Sequence, residues 1–519
     1  MSSLGLTETR DVTPSPAGPQ GSTYWLTRFV ILRMLGVVYV AAFLSLALQV
    51  LPLLGAHGLL PAATFLTRVE AHVGGASRFL SVPTVFWLGA SDRVLAVGAW
   101  TGLAVSVAVA LGFANALVMA FLWALYLSYI GIGQDWYGYG WEIQLAETGF
   151  LAIFLCPLLD PRPFPRRPPP FAVIVLYRWL IVRIMLGAGL IKLRGDPCWR
   201  DLTCLYYHYE TQPIPNPFSR TLHFMPHWFH RFGAIFNHVT ELGAPWFAFG
   251  PRRARHGAGA VMLAFQIFLI VSGNLSFLNW LTIVPVLACF DDSVWRRLVP
   301  ARVAAAVARS AATAVASRAQ QIAVAALVVV VAVLSIGPVA NLLSTRQIMN
   351  TSFSPLALVN TYGAFGSVGR ERDEIVFEGT ADAVPDDAQW RPYEFPCKPG
   401  EVMRRPCFVA PYQPRLDWAI WFAAMSTPER YPWTLHLVWK LLHNDPGALS
   451  LLAGNPFPDA PPRWIRARFY RYAFAPSEDP SGAWWTRTLV GEWLPPLDRD
   501  DPRLHRFLAA YGWIDASDD

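Results

Sequence analysis

The sequence predicts a mainly α-helical polytopic membrane protein of about nine transmembrane helices, with a C-terminal α+β domain outside the membrane. Three observations predict it. Of 519 residues, 54% are hydrophobic and only 15% charged, against roughly 25% charged in average soluble chains. Apolar runs of membrane-crossing length recur between residues 34 and 341. The arginines between them collect in alternate loops, as cytoplasmic loops do. A net charge of +6 is therefore a topology signal, and no nucleic-acid partner is expected. The lipid bilayer is the first partner.

Residues 1–24 are polar and rich in Pro, Ser and Gly. They read as a disordered tail and not as a signal peptide, since no short apolar core ends in a cleavage site. A helix needs roughly 20 apolar residues to cross a bilayer. Candidate spans lie near 34–54, 94–112, 113–131, 141–159, 171–193, 232–250, 257–273, 276–290 and 322–341. The run 276–290 is short and 80–90 is ambiguous. With the N-terminus inside, the inside loops are 160–170, 251–256 and 291–321. They carry Arg162, Arg166 and Arg167; Arg252, Arg253 and Arg255; and Arg296, Arg297, Arg302, Arg309 and Arg318. The outside loop 132–140 carries no Lys or Arg. Loop 194–231 is the exception, where Arg194, Arg200, Arg220 and Arg231 are accompanied by Asp196, Asp201 and Glu210. The expected organisation is a membrane domain over 25–345, with loop 194–231 external, and an external domain over 350–519. In the external domain, 375–383 and 467–474 read as strands, and 415–425 and 433–443 as helices.

The cysteines give an independent reading. Cys156 and Cys289 fall in spans. Cys198 and Cys204 fall in the external loop, and Cys397 and Cys407 in the external domain. Disulfides belong in oxidising compartments, so these four are disulfide candidates, although four cysteines allow three pairings. A zinc site ranks lower, because CxxC spacing is absent and His208 is the only imidazole close to the first pair. No metal is expected.

Ionisable groups inside a bilayer are costly, and they are functional or paired. Arg183 lies roughly 18 Å from the inside face of its span, while Glu147 and Glu241 enter from outside to about 9 and 13 Å. At a shared depth they predict an ion pair or triad, either as glue between helices or as part of a site. Asn274 and Asn279 join this intramembrane polar cluster from the turn at 272–280. His238 and Glu241, three residues apart, share a helix face, and Glu142 stands at the outside end of its span. Together these groups outline a cavity open to the outside. Lys192 is its sharpest member. Of 42 basic residues only Lys192, Lys398 and Lys440 are lysine, which leaves 39 arginines. A desolvated lysine acts as a base where arginine does not; snorkelling to the interface is the plainer alternative. Candidate catalytic residues are thus Lys192, Glu142, His238 and Glu241.

Longer motifs carry a resemblance. GLIKLRGDPCWRDLTC, HYETQPIPNP (208–217), WFHRFGAIFNHVTELGAPWF (228–247) and IVSGNLSFLNWLTIVPVLACFDD (270–292) resemble the lipase maturation factor family. So do NTYGAFGSV (360–368), YEFPCKPG (393–400), RRPCFVAPYQPRLDWAIWFAA (404–424) and LLAGNPFPDAPPRWIR (451–466). The resemblance covers most of residues 130–495. It implies a multi-pass protein of the endoplasmic reticulum membrane, or of the inner membrane in a bacterium, that helps secreted lipases fold and assemble and is linked to redox handling. It implies a lipase-like secreted client and no cofactor. A shorter stretch, with Gly189, Lys192, Leu193, Asp196 and Trp199, is similar to one in vitamin K-dependent gamma-carboxylase. That likeness implies an alternative: a membrane enzyme with Lys192 as base and a quinone or vitamin K-like cofactor.

Overall fold

In the computed structural model, residues 23–476 and 478–514 are described; the expected tail lies almost wholly outside them. The chain opens on helix α1, Trp25–Leu54. Its free N–H groups meet one carboxylate: Asp292 accepts from Trp25, Leu26 and Thr27 at 3.0, 2.8 and 3.2 Å. A carboxylate suits the positive end of a helix dipole. The next helices are α2 (Asp92–Leu111), α3 (Ala116–Ile132), α4 (Gly140–Leu155), α5 (Phe171–Arg194), α6 (His227–His238), α7 (Arg252–Ser272), α8 (Leu278–Val286) and α9 (Arg318–Leu334).

Among the described residues, five helices are long and apolar enough to cross a membrane: α1, α2, α5, α7, and α9 with its continuation to Leu343. Of the nine spans expected, these five reach spanning length as single apolar helices. The other four runs are short or broken for legible reasons. Helix α3 has 17 residues, about 26 Å of rise against a core of roughly 30 Å. Helix α4 ends at Leu155, just before Pro157. The run 232–250 changes from α-helix to a π turn at Val239–Gly243 and then to a 3-10 helix that contains Pro245. The run 276–290 carries Pro285 and tightens to 3-10 at Leu287–Cys289.

The C-terminal region holds a four-stranded sheet of order β2-β1-β3-β4. The strands are β1 (Arg372–Thr380), β2 (Arg391–Pro392), β3 (Trp464–Phe474) and β4 (Trp485–Asp498). All pairings are antiparallel, and β1 meets β3 from Arg372↔Tyr472 to Thr380↔Trp464. Helices α10 (Arg415–Ala423), α11 (Trp433–Leu442) and α12 (Pro502–Ala510) accompany it. Strand β4 is absent from the sequence reading because Pro495 and Pro496 interrupt it. At the sheet's edge the missing N–H groups cost little.

One core runs through both halves. Leu53, Leu54 and Leu59 belong to the same buried cluster as Leu437, Leu441 and Leu504. Polar contacts reinforce it: Ser45 Oγ and Gln49 Nε2 both donate to Gln413 O at 2.8 Å, and Arg415 N donates to Gln49 Oε1 at 2.9 Å.

Candidate functional site

Helix α5 buries three cations, Arg178, Arg183 and Lys192; the last two, nine residues apart, face different neighbours. Arg183 Nη2 pairs with Glu147 Oε1 of α4, and its Nη1 donates to Asn360 O at 2.8 Å. Glu147 Oε2 also accepts from Asn360 N and Nδ2, both at 3.0 Å, and from Tyr362 OH at 2.7 Å. A segment that follows the membrane helices thus closes the pair. It reaches α5 because Gly187 has no side chain: a Cβ there would sit 2.2 Å from Tyr362 O. Gly195 plays the same part against Gly366 O. Two glycines of the GAGLIKLRG stretch are therefore docking points for residues 362–366.

Lys192 faces the π turn. Its Nζ lies 2.5 Å from Glu241 Oε1 and 3.1 Å from Asn237 Oδ1. Asn237 Nδ2 donates to Glu241 Oε2 at 3.1 Å. The ammonium also stands 5.1 Å from the Trp199 ring centre, a cation–π distance. Glu241 is therefore not part of a triad with Arg183. His238 is not its partner either: His238 Nε2 contacts Trp199 O at 3.0 Å. Asn237, which the sequence reading missed, takes the place expected of His238. Its signal was the four-residue spacing to Glu241.

Glu142 meets neither lysine nor histidine. Arg415 of α10 donates to its Oε1 at 2.9 Å, Trp141 Nε1 does so at 3.0 Å, and Tyr126 OH donates to Oε2. The Arg415 guanidinium lies 3.5 Å from the Tyr137 ring centre and reaches Trp136 O at 2.5 Å. Asn274 binds the second cysteine loop: Nδ2 donates to Cys407 O at 2.9 Å, and Oδ1 accepts from Val409 N at 3.0 Å and Ala410 N at 3.2 Å. Asn279 Nδ2 donates to Gln266 Oε1 at 2.8 Å, between α8 and α7. The residues expected to line one cavity thus have separate partners. Most of those partners fasten one half of the chain to the other.

Both local cysteine pairs, Cys198–Cys204 and Cys397–Cys407, are disulfides; Cys156 and Cys289 are free and buried. Asp196 offers a carboxylate oxygen within 4.8 Å of both sulfurs of the first pair. As a disulfide that pair has no thiolate for a metal. Asp196 Oδ1 instead accepts from Cys198 N at 3.0 Å and from Arg370 at 3.3 Å. The first loop is held to the C-terminal region by Arg372, which donates to Glu210 O, Gln212 O and Pro213 O at 2.9, 2.5 and 2.9 Å. Arg372 also pairs with Glu374 at 2.5 Å, and Lys398 pairs with Glu374 at 2.9 Å. In the second loop, Asp417 Oδ1 accepts from Cys397 N at 2.7 Å and Lys398 N at 2.8 Å. Burial pushes the Asp417 carboxyl up to about 6, against the pull of those backbone bonds. Burial, with the Lys192 charge added, lowers His208 to about 4.

Comparison with known proteins decides the family. The family model described as the lipase maturation factor transmembrane domain matches residues 26–297, and that of the C-terminal domain matches 358–495. The chain belongs to the lipase maturation factor family. It is 50% identical to lipase maturation factor 1 of Bos taurus, over 95% of this chain and 93% of the relative. It is 47% identical to that of Homo sapiens, over 96% and 92%. Lipase maturation factor 2 of Rattus norvegicus is 29% identical, over 94% and 85%. No solved structure matches. The likeness to gamma-carboxylase rests on a short stretch around Lys192, and none of these named relatives is a carboxylase.

Proposed function

We propose that this family member is a membrane-embedded maturation factor for secreted proteins such as lipases, working by binding on the external side. The observation that carries this reading is the 50% identity to lipase maturation factor 1 across both halves. The geometry supports binding over chemistry. Arg183, Lys192 and Glu142 each meet an opposite charge in a buried contact, so these ionised groups singled out by sequence have structural partners. The client-facing parts are loop 194–231 and the region 350–519, each of which contains a local disulfide. The N-terminus lies in the cytoplasm, and the membrane is that of the endoplasmic reticulum, or the inner membrane in a bacterium. The external compartment is then oxidising, as both disulfides require.

A rescue assay tests the reading. The wild type and Lys192→Arg are expressed at equal levels in cells lacking their own maturation factor, and secreted lipase activity per lipase molecule is measured. Rescue by both is expected. No rescue by either would remove the lipase role, and rescue by the wild type alone would restore lysine chemistry.

A further inference from the structure

Strand β4 ends the sheet, and its two halves are protected differently. The C-terminal half carries Pro495 and Pro496, and register shifts accompany the pairing from Phe469/Tyr470 toward Ile465. Prolines and bulges are common guards of a sheet edge. The N-terminal half has neither guard. Its pairing with β3 is regular from Phe474↔Trp485 to Tyr470↔Leu489. Residues 486–490 are all exposed, with Leu489 at 47% and Val490 at 50%.

The direction of the backbone groups follows from the ladder. Ala475 N donates to Trp484 O at 3.0 Å, and where the ladder ends Trp484 N and Trp485 N both donate to Val402 O, at 3.0 and 3.1 Å. Antiparallel partners alternate between bonded and non-bonded pairs. Trp485, Arg487 and Leu489 therefore direct their N–H and C=O groups away from β3. Val402 takes the first of these. Among the described residues, no backbone group beyond β3 pairs with Arg487 or Leu489. The chain itself thus shows the edge pairing outward, and then leaves it open. Exposed Met403 and Phe408, in the loop that supplies Val402, add apolar surface. Exposed Arg487 and Arg405 make the surroundings cationic.

We infer that the open edge at residues 486–489 receives an extended segment of an incompletely folded client as an added strand. Backbone pairing supplies affinity without demanding one sequence. The preferred segment alternates β-branched and apolar residues and carries an acidic group opposite Arg487. This deepens the maturation reading and rests on it only for the source of the strand.

The test uses the full chain in lipid nanodiscs and a fluorescein-labelled peptide of about ten alternating Val and Thr residues, with a glutamate at each end. Binding is read by anisotropy. Saturable binding is expected, and a competitor N-methylated on alternate amides fails to displace the peptide. Leu489→Pro removes an N–H that has no backbone partner among the described residues, and it weakens binding about tenfold. Leu489→Ala stays within about twofold. Equal binding by Leu489→Pro, competition by the methylated peptide, or no saturable binding would each overturn the inference. So would dimerisation of the wild type that Leu489→Pro abolishes, since the occupant would then be a second copy. Peptide binding by a chain that fails lipase rescue would fault the client assignment alone.

Discussion

The middle and the C-terminal end of helix α5 solve the same problem in different ways. Each buries a cation against a carboxylate, nine residues apart on one helix. At Arg183 the pair is closed by Asn360 and Tyr362, which follow the last membrane helix in the chain. At Lys192 the pair is closed by Asn237, one turn before Glu241 and inside the membrane domain. The Arg183 site thus exists only when both halves of the chain are assembled, whereas the Lys192 site can form before. A buried ion pair adds little net stability, but breaking one leaves a stranded charge. Arg183 is therefore a checkpoint for assembly, and Lys192 a local clamp.

The largest expected effect breaks this contrast directly. Arg183→Met strands Glu147 and costs about 3–5 kcal/mol. It also frees the 360–366 segment, so chymotrypsin cuts after Tyr362, which is buried in the wild type. Lys192→Met lowers thermal stability in detergent by a similar class of effect but leaves Tyr362 protected. Protection in both variants, or cleavage in both, would erase the distinction between checkpoint and clamp.

A second junction sharpens the comparison without an ion pair. His436 of α11 contacts Leu59 O through Nδ1 at 2.8 Å and stacks on Trp513. Burial lowers it to about 4, with Lys440 lowering it further and the Leu59 carbonyl and Asp445 opposing. The unfolded group titrates near 6.5. A depressed value means that the stabilisation is present above pH 6.5 and is lost as pH falls toward 4. The loss is at most about 3 kcal/mol. His436→Gln should lack this slope when thermal unfolding of the two proteins is compared between pH 7 and pH 4. Parallel curves would show that this junction does not sense acid.

The smallest effect is expected at Lys192→Arg. Asn237 and Glu241 accept from a guanidinium as from an ammonium, and the cost is the extra bulk, about 1 kcal/mol. A cost near that of Lys192→Met would show that the point-like ammonium is required.

What the sequence made legible follows a physical line. Arg183 and Glu147 were readable as partners because depth along a helix is fixed by rise per residue. The four cysteines were readable as disulfide candidates because they fall in polar segments outside the apolar runs, whereas their pairing came from the structure. Arg415 was not readable as the partner of Glu142, because RLDWAIWF looks like any amphipathic helix start and the contact spans 273 positions. The same holds for Arg372, whose three carbonyl acceptors lie in loop 194–231. His238 was misjudged because a regular helix was assumed, and the π turn at Val239–Gly243 changes which residues line one side.

The sequence by itself determined that the chain lies in a membrane, which loops are polar, where the sulfur chemistry sits and which family the motifs indicate. These follow from local composition, spacing and long exact motifs, and none needs a distant residue. The tertiary structure alone decided that five helices reach spanning length and that one core joins the halves. It also decided that the rare lysine is clamped by Glu241, and that Gly187 and Gly195 are docking points. The physical reason is common to all of these. A charge or a bare backbone on one segment has no meaning until another segment arrives, and arrival is set by packing across hundreds of residues.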